Sequence, residues 1–350
     1  MNKVDEAIAG QIRVMFSCLE KHASPLFSPS EFWNELCDEH TRLLRQYGFD
    51  RFKRTLNFQY GQWGVGSLRD SRIRHVARQL LGMARFPYVP LFARIRDTGD
   101  VLWPRKTPSE PNAYRVYVGL LWQLARARDW LGCLDRTEEP LTGGPINITY
   151  GGRLITQDMA QSSLELNAIV RQMGTGNGRR VAEIGGGSGR LAYLFMRTFE
   201  NLHYCIFDIP PALAIGQNHL SAALGGQRVS MFDAGAEPEF EPLRMDSGHL
   251  SCHLPYSLES VPDGYFDLVV NVSSFDEMLP EQVRGYFDLI ERKCSGWLYL
   301  KGYPVRTGED PSRPWGLNQF PYRADWKLVH EGPDPVSPDF RERIYDLRIR

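Results

Sequence analysis

Four of the five residues from 185 to 189 are glycine (Gly185-Gly186-Gly187-Ser188-Gly189), and they separate two different patterns. Before them, Arg179-Arg180-Val181-Ala182-Glu183-Ile184 reads as a short strand. After them, Arg190 to Phe199 reads as a helix with Leu191, Leu194, Phe195 and Thr198 inward. Strand, glycine turn and helix in succession open a parallel sheet, and the glycines let a ligand approach the backbone closely. An ordinary strand–helix turn does not need so many glycines.

The alternation continues. His203 to Phe207 is a second strand and ends at Asp208, and Pro210 and Pro211 start a helix that runs to about Leu224. Tyr265 to Val272 is a buried strand, Pro280 to Lys293 a helix with Val283, Tyr286, Phe287 and Ile290 on one face, and Trp297 to Leu300 the following strand. This predicts a mostly parallel sheet with helices on both faces. The chain ends differently. Trp326 to Glu331 and Arg343 to Ile349 are strand-like, and the residues between them, including Gly332, Pro333, Pro335 and Pro338, hold no helix. Two such strands pair antiparallel.

The N-terminal half reads as helices. In Ser28-Pro29-Ser30-Glu31, Ser28 suits a cap, Pro29 the first helical position and Glu31 a capping box, and Phe32, Leu36, Leu43 and Leu44 follow at helical spacing. Further helices are predicted over Arg72 to Met83, with Ile73, Val76, Ala77 and Leu80 on one face, and over Tyr114 to Leu134. Gly99 to Asn112, with Pro104, Pro108 and Pro111, reads as a loop. Gly143-Gly144-Pro145 marks a boundary between a helical domain, 1–144, and a second domain, 145–350. The helical domain is expected to serve as an acceptor lid, a dimer surface or both. Asn57 to Trp63 interleaves amides with aromatics and suits either a sugar face or a packed loop. Arg69, Arg72, Arg74, Arg78 and Arg85 suit either an anionic acceptor or a solvated face.

Charge and composition exclude several classes. Lys plus Arg is 41 and Asp plus Glu is 42, a net charge of −1, too balanced for a protein whose work is neutralising phosphates along a nucleic acid. At 42% hydrophobic and 24% charged, the 350 residues form an ordinary globular protein. The six cysteines are scattered with no Cys-x-x-Cys pair, which suits reduced thiols in a cytoplasm. Lys3, Asp5, Glu6 and Arg13 interrupt any secretory signal, and no run approaches the roughly 18 apolar residues of a membrane span.

Two acids discriminate between cofactors. A dinucleotide register exists at Gly187, Gly189 and Ala192, but it starts too late after the strand; in the natural register, Gly185 and Gly187 are followed by Arg190. Glu183, beside the turn, would repel a pyrophosphate and suits the ammonium of an amino acid. Asp208, at the end of the next strand, suits both hydroxyls of a ribose. An ammonium, a ribose and no phosphate describe S-adenosylmethionine.

Val181-Ala182-Glu183-Ile184-Gly185-Gly186-Gly187-Ser188-Gly189-Arg190-Leu191-Ala192 resembles the first motif of class I S-adenosylmethionine-dependent methyltransferases. More narrowly, the chain resembles the sugar O-methyltransferases of bacterial polysaccharide clusters. This likeness rests on Ile155-Thr156-Gln157-Asp158, Phe207-Asp208-Ile209-Pro210, Asn271-Val272-Ser273-Ser274-Phe275-Asp276-Glu277-Met278 and Tyr299-Leu300-Lys301, and it covers roughly residues 145 to 305. The resemblance implies a Rossmann-like fold, S-adenosyl-L-methionine as cofactor, and Glu183, Gly185, Gly187, Asp208, Ile209 and Asn271 at the donor site. By position, His253 and Leu254, on a strand near Leu250 to Leu254, would flank the adenine. The acceptor would be a small molecule, a sugar or glycosylated metabolite; the alternatives are a non-sugar natural product, hydride transfer with NAD, and a non-catalytic partner.

Methyl transfer to a hydroxyl calls for a base, and bases come from loops at the C-terminal ends of strands. Asp276 and Glu277 have that position, their alternative being to cap the helix that starts near Pro280; His249, His253 and His330 are in reserve. No clustered oxygen ligands stand beyond Asp276-Glu277, so transfer without a metal is expected.

Overall fold

A computed structural model of the protein describes residues 3–22, 24–56, 65–83, 94–95, 111–146, 148–235, 248–305 and 315–348. The N-terminal part is helical: α1 (Lys3–His22), α2 (Glu31–Tyr47), the single turn α3 (Phe52–Thr55), α4 (Ser71–Leu81), α5 (Pro111–Arg128) and the short α6 (Cys133–Arg136). A small antiparallel sheet follows the order β1 (Arg94–Ile95), β2 (Ile148–Tyr150) and β3 (Arg153–Ile155). Then α7 (Gln157–Met173) leads into β4 (Arg180–Ile184), α8 (Arg190–Thr198), β5 (His203–Phe207), α9 (Ala212–Leu224), β6 (Val229–Ser230) and β7 (His249–His253). The chain continues through β8 (Phe266–Val272), α10 (Pro280–Lys293), β9 (Cys294–Gly302), β10 (Lys327–Pro333) and β11 (Arg341–Asp346).

The main sheet has the order β10-β11-β9-β8-β4-β5-β7-β6. From β6 to β9 every pairing is parallel, and β11 runs antiparallel to both neighbours. This is the expected Rossmann-like α/β architecture with an antiparallel C-terminal pair. The order turns back at β4: β5 lies on one side of it and β8 on the other. A crevice opens at such a reversal, beyond the C-terminal strand ends.

The hairpin carries one detail that periodicity does not announce. The last strand, β11, is wedged between β9 and β10, pairing Tyr345 with Leu298 on one side and with Leu328 on the other. Burial explains the choice. Ile344 and Tyr345 in β11 are buried, whereas β10, with Lys327, Leu328, Glu331 and Pro333 exposed, takes the edge. A polar strand carrying a proline is tolerated there.

Several N-terminal boundaries differ from expectation. The cap of α2 is Ser30, not Ser28; its side chain accepts from Trp33 N at 3.4 Å, and the Ser28 hydroxyl instead donates to the Ser24 carbonyl. In α4, Asp70 caps by accepting from Arg72 N at 2.9 Å. The long helix predicted to end at Leu134 stops at Arg128, because Gly132 is left-handed (φ 65°) and the Asp129 carboxylate takes Leu134 N at 2.8 Å. That helix begins at Pro111, inside the predicted loop. Asn57 to Trp63, Arg85 and the rest of the Gly99 loop lie outside the described residues.

The apolar core runs without a break from Ile8, Leu43 and Phe52 through Leu121 to Phe195, Phe287 and Leu347. Across residue 144, Lys53 Nζ meets Asp158 at 3.0 Å with both side chains buried. No helix among the described residues is long and apolar enough to cross a membrane, and all six cysteines are free.

Candidate active site

β4 delivers Glu183 to the crevice and then enters the glycine turn. Gly185, Gly187 and Gly189 have φ of 78°, 57° and 76°, the left-handed region that glycine tolerates. A side chain at 185 would also collide with Ser274. From the other side, α9 lies so close that a Cβ on Gly216 would sit 2.5 Å from the Gly187 carbonyl oxygen. The turn is thus clamped between the loop after β8 and α9.

Asp208, at the end of β5, is tied to the turn. Its Oδ2 accepts from Gly187 N at 2.7 Å and its Oδ1 from Ile209 N at 2.8 Å. Each oxygen keeps a second lone pair for a ligand. Burial pushes the Asp208 carboxyl up to about 6, against the pull of those two N–H groups. Glu183 is only 3% exposed, and its Oε2 accepts from Tyr204 Oη at 2.9 Å. Burial pushes it up to about 8, with the Tyr204 hydroxyl opposing the rise. The Arg190 charge opposes the rise as well without cancelling it, so the acid is held near protonation at neutral pH.

A cavity of about 620 Å³ begins at this turn and extends to the N-terminal helices. Glu183, Gly185, Gly187, Asp208, Ile209 and Glu277 line it. His253, Leu254, Asn271 and Asp276 are not among its lining residues. His253 stacks behind Phe207, ring centroids 5.4 Å apart, and its carbonyl accepts from Asp208 N at 3.2 Å. Burial holds its imidazole down at about 4. Phe207, the cross-strand partner of His253, and Pro255, which follows Leu254, form the wall instead.

Asn271 is a brace. Its Nδ2 donates to the Ile184 carbonyl at 2.9 Å and to Ser274 Oγ at 2.6 Å, joining the ends of β4 and β8. Asp276, 1% exposed, accepts from Ser273 Oγ at 3.1 Å and from Tyr303 N at 3.0 Å, tying the turn after β8 to the chain after β9. Neither Asp276 nor Glu277 caps α10; the cap position is Leu279, whose N–H donates to Gln282 Oε1 at 3.0 Å. Of the reserve histidines, His249 bonds Ser230 at 2.7 Å, His330 sits on β10, and neither lines the cavity.

The far end of the cavity comes from residues to which the sequence assigns no role in a site, Phe32 being expected only on the apolar face of a helix. Phe32 and Trp33 of α2 line it, with Tyr303 after β9 and Ser337, Asp339 and Phe340 between β10 and β11. Of the arginines considered for an anionic acceptor, Arg69, Arg74 and Arg78 are exposed and do not line the cavity. Arg72 does line it, but forks onto Asp70 at 3.0 and 2.8 Å. Arg190, which breaks the dinucleotide pattern, forks onto the buried Glu165 at 2.6 and 2.9 Å.

The fold and site define a doubly wound α/β protein with a glycine turn and two carboxylates at its switch point. No family model and no curated protein matches the chain. Solved structures with some likeness include the pyocyanin biosynthetic protein PhzM, at 16% identity and a TM-score of 0.36, covering 54% of this chain and 56% of that one. Magnesium protoporphyrin IX methyltransferase (ChlM) from Synechocystis PCC 6803 with bound SAM aligns at 11% identity and a TM-score of 0.38, over 54% of this chain and 82% of that one. A SAM dependent methyltransferase from Aquifex aeolicus aligns at 15% and 0.35, over 51% and 88%.

Proposed function

We propose that this protein is an S-adenosylmethionine-dependent O-methyltransferase whose acceptor is a hydroxyl of a sugar or glycosylated metabolite. The observation that carries the reading is the pair of cavity-lining carboxylates flanking a left-handed glycine turn, with Asp208 anchored on Gly187 N. The residues fit the donor. Glu183 is a buried acid that accepts from the Tyr204 hydroxyl and lines the cavity, suited to an ammonium. Asp208 has a free lone pair on each oxygen for the ribose hydroxyls. A cavity of about 620 Å³ is within the usual size of a ligand site.

When bound, the donor supplies an electrophilic methyl group on a sulfonium that leaves as a neutral thioether. The chain aligns the acceptor and excludes water. Glu277 takes the hydroxyl proton as the acceptor oxygen forms its bond to the methyl carbon and the carbon–sulfur electron pair returns to sulfur. The sugar reading is supported by the mixture at the far end, where Phe32, Trp33 and Phe340 supply flat apolar faces and Ser30, Ser337 and Asp339 supply hydrogen-bonding groups. The Asp70–Arg72 fork speaks against the anionic acceptor that the arginine run suggested. Residues 1–144 contribute the lid to this acceptor end through the starts of α2 and α4.

The test is calorimetric titration of the whole chain with S-adenosylhomocysteine. A one-to-one complex that Asp208→Ala loses is expected, with no heat from NAD. Binding of NAD in place of S-adenosylhomocysteine would overturn the reading. Screening of methyl glycosides and free disaccharides with labelled donor then identifies the acceptor.

A further inference from the structure

We infer that Gln161 is a donor-binding residue: its side-chain oxygen accepts from the ammonium of S-adenosylmethionine, beside Glu183. The inference rests on the reading of this cavity as a donor site. Gln161 lies on α7, is 2% exposed and lines the cavity, yet its Oε1 has no hydrogen-bond partner. A buried acceptor left without a donor is costly to folding, and such groups are few in a folded protein. In a cavity wall, the missing donor is one that a ligand supplies.

The surroundings of Gln161 belong to the donor end. It stands one helical turn before Glu165, on the same face of α7. Glu165 holds Arg190, the residue that follows the glycine turn, and Arg190 Nη1 also donates to Ser162 Oγ at 3.0 Å. Arg190 and Glu183 both line the cavity with Gln161. An ammonium carries three N–H donors, and Glu183 offers it a carboxylate whose Oε2 already accepts from Tyr204 Oη. Gln161 Oε1 supplies a further acceptor. Its neutrality suits the place. Burial, with the charges of Glu165 and Asp208 adding to it, pushes the Glu183 carboxyl up to about 8. Another carboxylate here would drive Glu183 further toward its protonated form, whereas an amide oxygen takes an N–H and adds no charge.

The test is calorimetric titration of the full chain and of Gln161→Leu with two ligands: S-adenosylhomocysteine and its deaminated analogue, in which hydrogen replaces the amino group. Gln161→Leu should bind S-adenosylhomocysteine about 10–100-fold more weakly than wild type, the loss expected for a hydrogen bond to a charged group. The deaminated analogue should bind both proteins equally. Gln161→Leu should also keep or raise the wild-type urea midpoint, because the Oε1 it removes has no partner to strand. Should Gln161→Leu fail to fold, Gln161→Met, unbranched like glutamine, carries the same comparison. Equal S-adenosylhomocysteine affinity in wild type and variant overturns the inference and leaves the donor reading standing. An equal loss for both ligands overturns it as well, since a merely structural role would weaken both alike. A wild-type chain that binds neither ligand removes the donor reading and the inference with it.

Discussion

Asp276 and Glu277 are neighbours of the same chemical type with opposite surroundings. The Asp276 carboxylate is sealed between Ser273 and Tyr303 N, whereas Glu277 reaches the cavity and the Trp33 indole. Their amides should separate. Asp276→Asn is expected to lower stability by about 1–3 kcal/mol, through weakened buried hydrogen bonds, and this is read as a shift in urea midpoint. Glu277→Gln should keep the wild-type midpoint and lose roughly 10²–10⁴-fold in transfer rate. Glu183 makes a second prediction. Its folded pKa is raised from 4.5 to about 8 by burial. Between those values the folded protein holds a proton that the unfolded chain has released, so this group's contribution to stability falls as pH rises through that window. Glu183→Gln should flatten that slope in thermal unfolding. The same group predicts that S-adenosylhomocysteine binding at pH 7 releases a proton, because an ammonium favours the ionised acid; titration in two buffers of different ionisation enthalpy measures it.

At the scale of elements, the glycine turn is shaped by its neighbours as much as by its own residues. α9 presses Gly216 against the Gly187 carbonyl, and the loop after β8 presses Ser274 against Gly185. Gly216→Ala should therefore displace the turn. The expected result is a folded protein with at least tenfold weaker binding of S-adenosylhomocysteine, whereas Gly225→Ala at the end of the same helix, where a Cβ meets nothing within 4 Å but φ is 88°, should cost stability and leave that affinity intact. Most of these elements were legible beforehand. The strands and helices from Arg180 to Lys293 follow the periodicity of their apolar residues closely, because each buries a face against its immediate partners. The cap of α2 was misread by two residues. Ser28 and Ser30 are equally good by type, and the choice was made by Glu277 and Gln282, which come from the far end of the chain.

For the molecule as a whole, a buried ion network joins the glycine-turn helix to the C-terminal hairpin. Lys301, wholly buried, meets Glu165 at 2.9 Å and Asp334 at 2.8 Å, and Glu165 also holds Arg190. Burial works to raise the Glu165 carboxyl, yet Arg190 and Lys301 pull it down to about 2. Removing one member strands the others. Lys301→Met should cost about 3–5 kcal/mol in chemical denaturation, because Asp334 and Glu165 lose a counter-charge in the interior. This network links α7, α8, β9 and the segment between β10 and β11, so the two ends of the cavity share one framework.

The residues from Val181 to Asp208 determined by themselves the strand, the turn and the two acids of the proposed donor end. The signal is local there: left-handed turns need glycine, and a carboxylate at a strand end lies beside the next loop. Which of Asp276 and Glu277 faces the cavity, where β11 enters the sheet, and that Trp33 reaches Glu277 were decided only by tertiary structure. Each of those depends on contacts between segments tens to hundreds of residues apart, chosen by which face could be buried and which polar groups could be paired.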